Sequence, residues 1–215
     1  NTSFVNRLAD ASLPVDDIVR DPVEAAEHAR ETEKDIHGVR LPADIFAPHR
    51  MNSAGVPLGD PATRAAEIAA VTRALGETFA AGPIVSGVAD TAIDMADPVL
   101  CPHDRRERIG NVVSSTPDHV ERAVTAAVAA QHGWDRLGGE ARAAILERAA
   151  QLFEQNRTRL MAVIVREAGK TLDNALGDVR EAVDFLRYYA AEGRRQFSAP
   201  VAMRSPTGEN NTLTL

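Results

Sequence analysis

What this sequence lacks narrows its function before any motif is read. One cysteine in 215 residues, Cys101, excludes an intrachain disulfide framework. A reducing compartment, the cytoplasm, is the expectation that follows. Basic residues are outnumbered, 24 Lys and Arg against 31 Asp and Glu, for a net charge of −7 and a pI near 5.4. Binding to phosphate-rich surfaces relies on Lys and Arg, so no nucleic acid partner is expected through this segment. No apolar run approaches the roughly 20 residues that span a bilayer, and Asn1 to Asp10 has neither the basic start nor the apolar core of a signal peptide. Aromatics are scarce at 4%, while 44% hydrophobic residues still allow an ordinary soluble core.

Helix start signals punctuate the first third. Ser12 before Leu13-Pro14, Asp21 before Pro22, and Asp60 before Pro61 each set a capping oxygen ahead of a proline suited to the first turn. His37 to Pro57 reads as an extended connection, and Pro61 to about Phe79 as a spacer helix ending at Gly82-Pro83. Short β-compatible pieces occupy Pro83 to Ser115. Four helices are expected next: one capped by Thr116 with Val120, Val124, Ala127 and Val128 on one face, and a second carrying Ile145, Leu146, Ala149, Leu152 and Phe153. The third ends at Gly169, and the fourth runs from Leu172 to about Glu192. A strand, a turn over Ser205 to Asn211 and a second strand close the sequence. Both ends read as cut, since Asn1 to Asp10 resembles the last turns of a helix and Asn211 to Leu215 a strand without a partner.

The fourth helix has two apolar sides. Its main stripe is Ala175, Leu176, Val179, Ala182, Val183, Leu186 and Ala190, while Phe185 and Tyr188 lie elsewhere with Glu181. Burial on two faces is the expectation. Glu181 stands out among the carboxylates because its i+4 and i+7 neighbours are Phe185 and Tyr188; the competing reading is a surface ion pair with Arg180 or Arg187. Glu167 and Lys170 belong to local structure around the helix stop. Asp118 and Glu121 are helix-start charges.

Other constellations are weaker. Gly169-Lys170-Thr171 ends like a phosphate loop, yet Ile164 stands where the leading glycine belongs and a helix, not a strand, precedes it. Gly169 is read as the left-handed stop of that helix. Cys101 sits before Pro102 with no helix N-terminus behind it, and is read as a bland thiol. The six histidines show no metal-ligand spacing, and Cys101-x-His103 lacks further ligands, so no metal site is expected.

Val165-Arg-Glu-Ala-Gly-Lys-Thr171 followed by Val179-Arg-Glu-Ala-Val-Asp-Phe-Leu-Arg-Tyr-Tyr-Ala190 resembles the N-terminal helical region of the aldehyde dehydrogenase superfamily. The nearest branch oxidises L-glutamate γ-semialdehyde, the hydrolysed form of Δ1-pyrroline-5-carboxylate. Asn1 to Arg7, Ser12-Leu-Pro14, Asn52 to Gly55 and Ser205 to Asn211 resemble, in order, the barrel exit, linker and pre-nucleotide-fold turn of the bifunctional proline utilisation A family. The resemblance implies an internal fragment: 1–50 the tail of a proline dehydrogenase module, 51–82 a linker and spacer helix, 83–215 the incomplete N-terminal part of an aldehyde dehydrogenase module. The parent would be an α/β enzyme, and this segment mainly helical with short β-hairpins, the N-terminal portion of the NAD-binding domain plus linker.

It further implies NAD in the dehydrogenase module and FAD in the proline dehydrogenase module, a small-molecule substrate, the rest of the same polypeptide as partner, and a homo-oligomer. Glu181 alone aligns with a functional position, a glutamate lining the aldehyde site. The family's nucleophilic cysteine lies farther downstream in a glycine-containing loop and Cys101 does not match it. No catalytic, cofactor-binding or metal-binding residue is therefore expected within these 215 positions. Two other readings stand beside this one: a non-catalytic oligomerisation or scaffold module from a truncated paralogue, and a monofunctional dehydrogenase with an unrelated N-terminal extension, which the linker-like first 55 residues argue against.

Overall fold

A computed structural model describes residues 11–31, 40–89 and 96–213. The chain divides into two compact units, Asn1–Arg40 and Leu41–Leu215. The readings placed on Asn1 to Arg7, on 37–39 and on the last two residues lie outside the described residues.

In the first unit, α1 spans Val15–Val19 and α2 spans Pro22–Glu31. Asp21 accepts from the backbone N–H of Val23 at 2.7 Å, as its position before a proline anticipates. Ser12 does not cap α1: that position belongs to Pro14, without a side-chain cap.

The second unit begins with a 3-10 turn, Pro42–Asp44, and then α3, Pro61–Ala74. Asp60 caps α3 by accepting from Thr63 N–H at 2.7 Å. This helix stops five residues short of Phe79, because Phe79–Ala81 becomes strand β1 and pairs in parallel with β5, Arg108–Val113. Nor is α3 a spacer: Val71 enters the main core beside Met161, Ala162, Ala175, Leu176 and Val179. Antiparallel pairing of β4, Ala96–Leu100, with β5 completes a sheet of order β1-β5-β4. Gly110 is required there, since a Cβ would lie 2.1 Å from the Phe79 carbonyl oxygen. The hairpin β2–β3, Ile84–Val85 with Val88–Ala89, turns through Ser86 and Gly87 at positive φ, the backbone that matches strand twist in two-residue turns.

Four helices follow as anticipated: α4 Pro117–Arg136, α5 Gly138–Gln155, α6 Arg157–Ala168 and α7 Leu172–Phe197. Thr116 and His119 form a reciprocal capping box on α4. Gly169 ends α6 in the left-handed conformation, φ 65°. The expected apolar faces of α4 and α5 differ from the observed ones. Val120, Val124 and Val128 of α4 are exposed, as are Ile145, Leu152 and Phe153 of α5. What α5 buries is Gly139, Ala143 and Ala150. Small residues let it approach α7 closely: a Cβ on Gly139 would meet the Gly193 carbonyl oxygen at 2.6 Å. Gly139 opposite Gly193 and Glu154 opposite Arg187 make the two helices antiparallel.

Helix α7 buries one face, Ala175, Leu176, Val179, Val183 and Ala190. Its second face is open, with Phe185, Tyr188 and Tyr189 exposed, so burial on two sides is not realised among the described residues. The closing hairpin pairs β6, Val201–Ala202, with β7, Thr212–Leu213. The segment is mainly helical with short strands.

Candidate functional site

The open face of α7 forms a site because a distant segment is fastened beside it. Asn52 and Ser53 are buried polar residues, and buried polar groups are costly unless bonded. Each is satisfied by α7. Asp184 accepts from Ser53 N–H at 2.6 Å and from Ser53 Oγ–H at 2.9 Å. Arg187 donates to the Asn52 carbonyl at 2.8 Å while pairing with Glu154 of α5 at 2.6 Å. Arg180 donates to Ser53 Oγ at 3.3 Å and lies against Gly55, which turns at φ 74°. This anchoring brings Arg50 over α7, where its guanidinium stacks 3.9 Å above the Phe46 ring, lies 5.8 Å from that of Tyr188 and donates to Asn52 Oδ1 at 3.1 Å.

The result is a cleft of about 500 Å³ lined by Arg50, Arg180, Glu181, Asp184, Phe185 and Tyr188. Glu181, Phe185 and Tyr188, grouped by helical spacing alone, share this cleft. Glu181 is exposed. Neither Arg180 nor Arg187 pairs with it: Arg180 is bonded to Ser53 and Arg187 to Asn52 and Glu154. The surface ion pair that competed with the pocket reading is thus absent among the described residues. With Asp184 and Arg180 both bonded to Ser53, the cleft offers the Glu181 carboxylate, the Arg50 guanidinium and two aromatic walls. Asp184, Arg50 and Ser53 were not singled out in the sequence. Ser53 and Asp184 stand 131 positions apart, and no local pattern links them.

A second cleft of about 660 Å³ lies alongside, walled by His49, Met51, Glu147, Arg187 and Arg194. Arg194 binds Glu147 at 2.5 and 2.8 Å and Glu140 at 2.7 Å. These bonds hold Arg194 above its ordinary value, Glu147 contributing first, and hold Glu147 below the usual carboxylate range. Its charges are spent on one another.

The remaining candidates resolve into structure. Lys170 pairs with Asp178 at 2.5 Å, and Thr171 caps α7 by accepting from Asn174 N–H. Those bonds use the groups that a pyrophosphate would need, so the Gly-Lys-Thr turn does not fit NAD. Cys101 is fully buried. Beside it the structure adds Glu107 to the Cys-x-His pair that sequence spacing set aside. Among the described residues no helix is long and apolar enough to cross a membrane.

Comparison with known proteins accords with this architecture. The aldehyde dehydrogenase family profile matches residues 90–214. The bifunctional protein PutA of Escherichia coli is 40% identical over 202 residues, covering 92% of this chain and 15% of its own length. A crystal structure of a Bradyrhizobium japonicum proline utilization A (PutA) mutant superposes with a TM-score of 0.61 and 36% identity, over 100% of this chain and 18% of the other. A Thermus 1-pyrroline-5-carboxylate dehydrogenase with bound NAD gives a TM-score of 0.65 at 28% identity, over 75% of this chain and 31% of the other. This chain therefore spans a small part of the relatives it matches. It belongs to the aldehyde dehydrogenase family.

Proposed function

We propose that the chain is part of an NAD-dependent L-glutamate γ-semialdehyde dehydrogenase joined to a flavin-dependent proline dehydrogenase, the pair oxidising proline to glutamate. Residues 1–50 are assigned to the tail of the proline dehydrogenase module, 51–82 to a linker, and 83–215 to the N-terminal part of the aldehyde dehydrogenase module and its NAD-binding domain. NAD and FAD serve the respective modules, the parent is a homo-oligomer, and its location is cytoplasmic. The family match over 90–214 and the likeness to PutA along 92% of the chain support this reading.

The observation that carries the role of this segment is the state of Glu181. Its carboxylate has no hydrogen bond or ion pair with any described residue, although Arg180 and Arg187 flank it on the same helix. Phe185 and Tyr188 beside it present apolar walls to a short aliphatic chain. Glu181 thus binds substrate, accepting from its polar hydrogens while the rings exclude water along its length. The Glu181 cleft has no cysteine, serine or threonine among its described lining residues, and this segment is assigned to shaping the site instead of performing the chemistry.

The test is a kinetic comparison of Glu181→Ala and Glu181→Gln with the wild type in the full-length protein, with NAD present. The expected result is a loss of about tenfold or more in kcat/KM for the semialdehyde and an unchanged melting temperature, since an unbonded exposed carboxylate supports nothing internal. Unaltered kinetics in both variants would return Glu181 to the ordinary surface.

A further inference from the structure

Cys101 has a setting that neither the proposed oxidation nor simple packing uses. β4 ends in a bulge between Val99 and Leu100, after which Leu100 pairs with Arg108. The turn that follows is closed from inside: Cys101 N–H donates to the Glu107 carbonyl at 3.0 Å, and Glu107 N–H to the Asp104 carbonyl at 2.9 Å. Asp104 is occupied by Arg106, which holds it through Oδ1 and Oδ2 at 2.8 Å each. The closed turn sets Cys101 Sγ 2.9 Å from His103 Nδ1, and brings one ligand atom each of Cys101, His103 and Glu107 within 4.8 Å of one another.

We propose that Cys101, His103 and Glu107 bind a thiophilic divalent cation of the zinc class, with a fourth position open to water. Tetrahedral zinc, with bonds of about 2.3 Å to sulfur and about 2.0–2.2 Å to nitrogen or oxygen, spaces its ligand atoms about 3.5 Å apart. Rotation of the exposed His103 ring opens 2.9 Å to that value without moving the backbone. Glu107 can contribute without releasing its arginine. Arg166 Nε and Nη2 both contact Oε1, at 3.0 and 2.8 Å, which leaves Oε2 for the ion.

The sulfur is buried, while His103 and Glu107 are exposed, so an ion reaches the thiol from the solvent side. Binding replaces the thiol proton, which leaves to solvent, and the S–H bond to the Arg166 carbonyl at 3.3 Å is given up for a metal–thiolate bond. One thiolate and one carboxylate balance the divalent charge. Arg166 ties the same turn to α6 through Glu107 and the Arg108 carbonyl, the latter at 3.4 Å, and also donates to the Glu77 carbonyl ahead of β1 at 2.8 Å. The ion is thereby a clamp on the β4–β5 turn at the end of α6, three residues before the stop at Gly169.

The test is titration of the full chain, free of any affinity tag, with Co(II) and then with Zn(II). Cys101 is the single cysteine of these 215 residues, and loss of a thiolate-to-cobalt charge-transfer band in Cys101→Ser assigns its source. The expected result is such a band at one Co(II) per chain, removed by excess Zn(II), lost in Cys101→Ser, and weakened at least about tenfold in affinity in His103→Ala and in Glu107→Gln. A wild-type chain with its thiol reduced and no band would overturn the site, as would a band that survives both His103→Ala and Glu107→Gln. Should Cys101→Ser fail to fold by circular dichroism, the two exposed positions decide the matter.

Discussion

Ser53 presents both its backbone N–H and its hydroxyl to the two oxygens of Asp184, at 2.6 and 2.9 Å, across 131 positions of sequence. This two-point attachment fixes the segment that carries Arg50 against the face that carries Glu181. The partners are unequal. Ser53→Ala removes the hydroxyl's bond to Asp184 and the longer bond it accepts from Arg180 but keeps the backbone bond, and is expected to cost about 0.5–1.5 kcal/mol, whereas Asp184→Ala strands a buried N–H and is expected to cost about 1–3 kcal/mol. Thermal melts of both variants check the order; a larger loss for Ser53→Ala would mean that the attachment is held elsewhere.

Glu147 supplies a pH dependence with a definite sign. The hydrogen bonds from Arg194 depress its folded-state value below the ordinary 4.5. A depressed carboxylate stabilises fully above its unfolded value and loses that contribution as pH falls through the folded one. The stability gap between wild type and Glu147→Gln is therefore expected near neutrality and to close on acidification below about pH 4.5. A gap that is absent near neutrality, or that does not close in acid, in denaturation at stepped pH would mean that the bond is unimportant.

Two glycines in helices make opposite predictions. Gly139→Ala drives a Cβ to within 2.6 Å of the Gly193 carbonyl at the α5–α7 crossing, and overpacking of this kind costs about 1–3 kcal/mol. Gly133 in α4 has nothing within 4 Å of the added carbon, so Gly133→Ala is expected to stabilise by up to about 1 kcal/mol through helix propensity. Urea midpoints that moved the same way would contradict the close approach.

Met161 is fully buried in the core joining α3, α6 and α7. Truncation to Ala is expected to cost about 2–5 kcal/mol. Leu152→Ala on the exposed side of α5 serves as the comparison, with a loss within about 0.5 kcal/mol.

Local chemistry was readable where the sequence carried its own cause. Asp60 and Thr116 cap their helices, Gly169 ends one, and Glu181, Phe185 and Tyr188 meet because a helix puts i, i+4 and i+7 together. Tertiary demands were not readable. Phe79 continues the periodicity of α3, but the backbone of β5 claims it for a strand. The side of α5 that packs is its small side, since a close helix crossing selects Gly and Ala over Ile145, Leu152 and Phe153. Arg50 joined the cleft because Asn52 and Ser53 just after it bond to residues more than a hundred positions away, beyond any local pattern.

The parallel pairing of Phe79 with Gly110 also constrains the order of assembly during synthesis. β4 and β5 are joined by a short turn and can zip as soon as both leave the ribosome, whereas β1 emerges earlier and has no partner until Gly110 follows. At about 5–20 residues per second, that leaves the nascent β1 edge unpaired for roughly two to six seconds. The sheet is therefore completed backward along the chain, and its first strand is the one that nascent-chain chaperones would meet exposed.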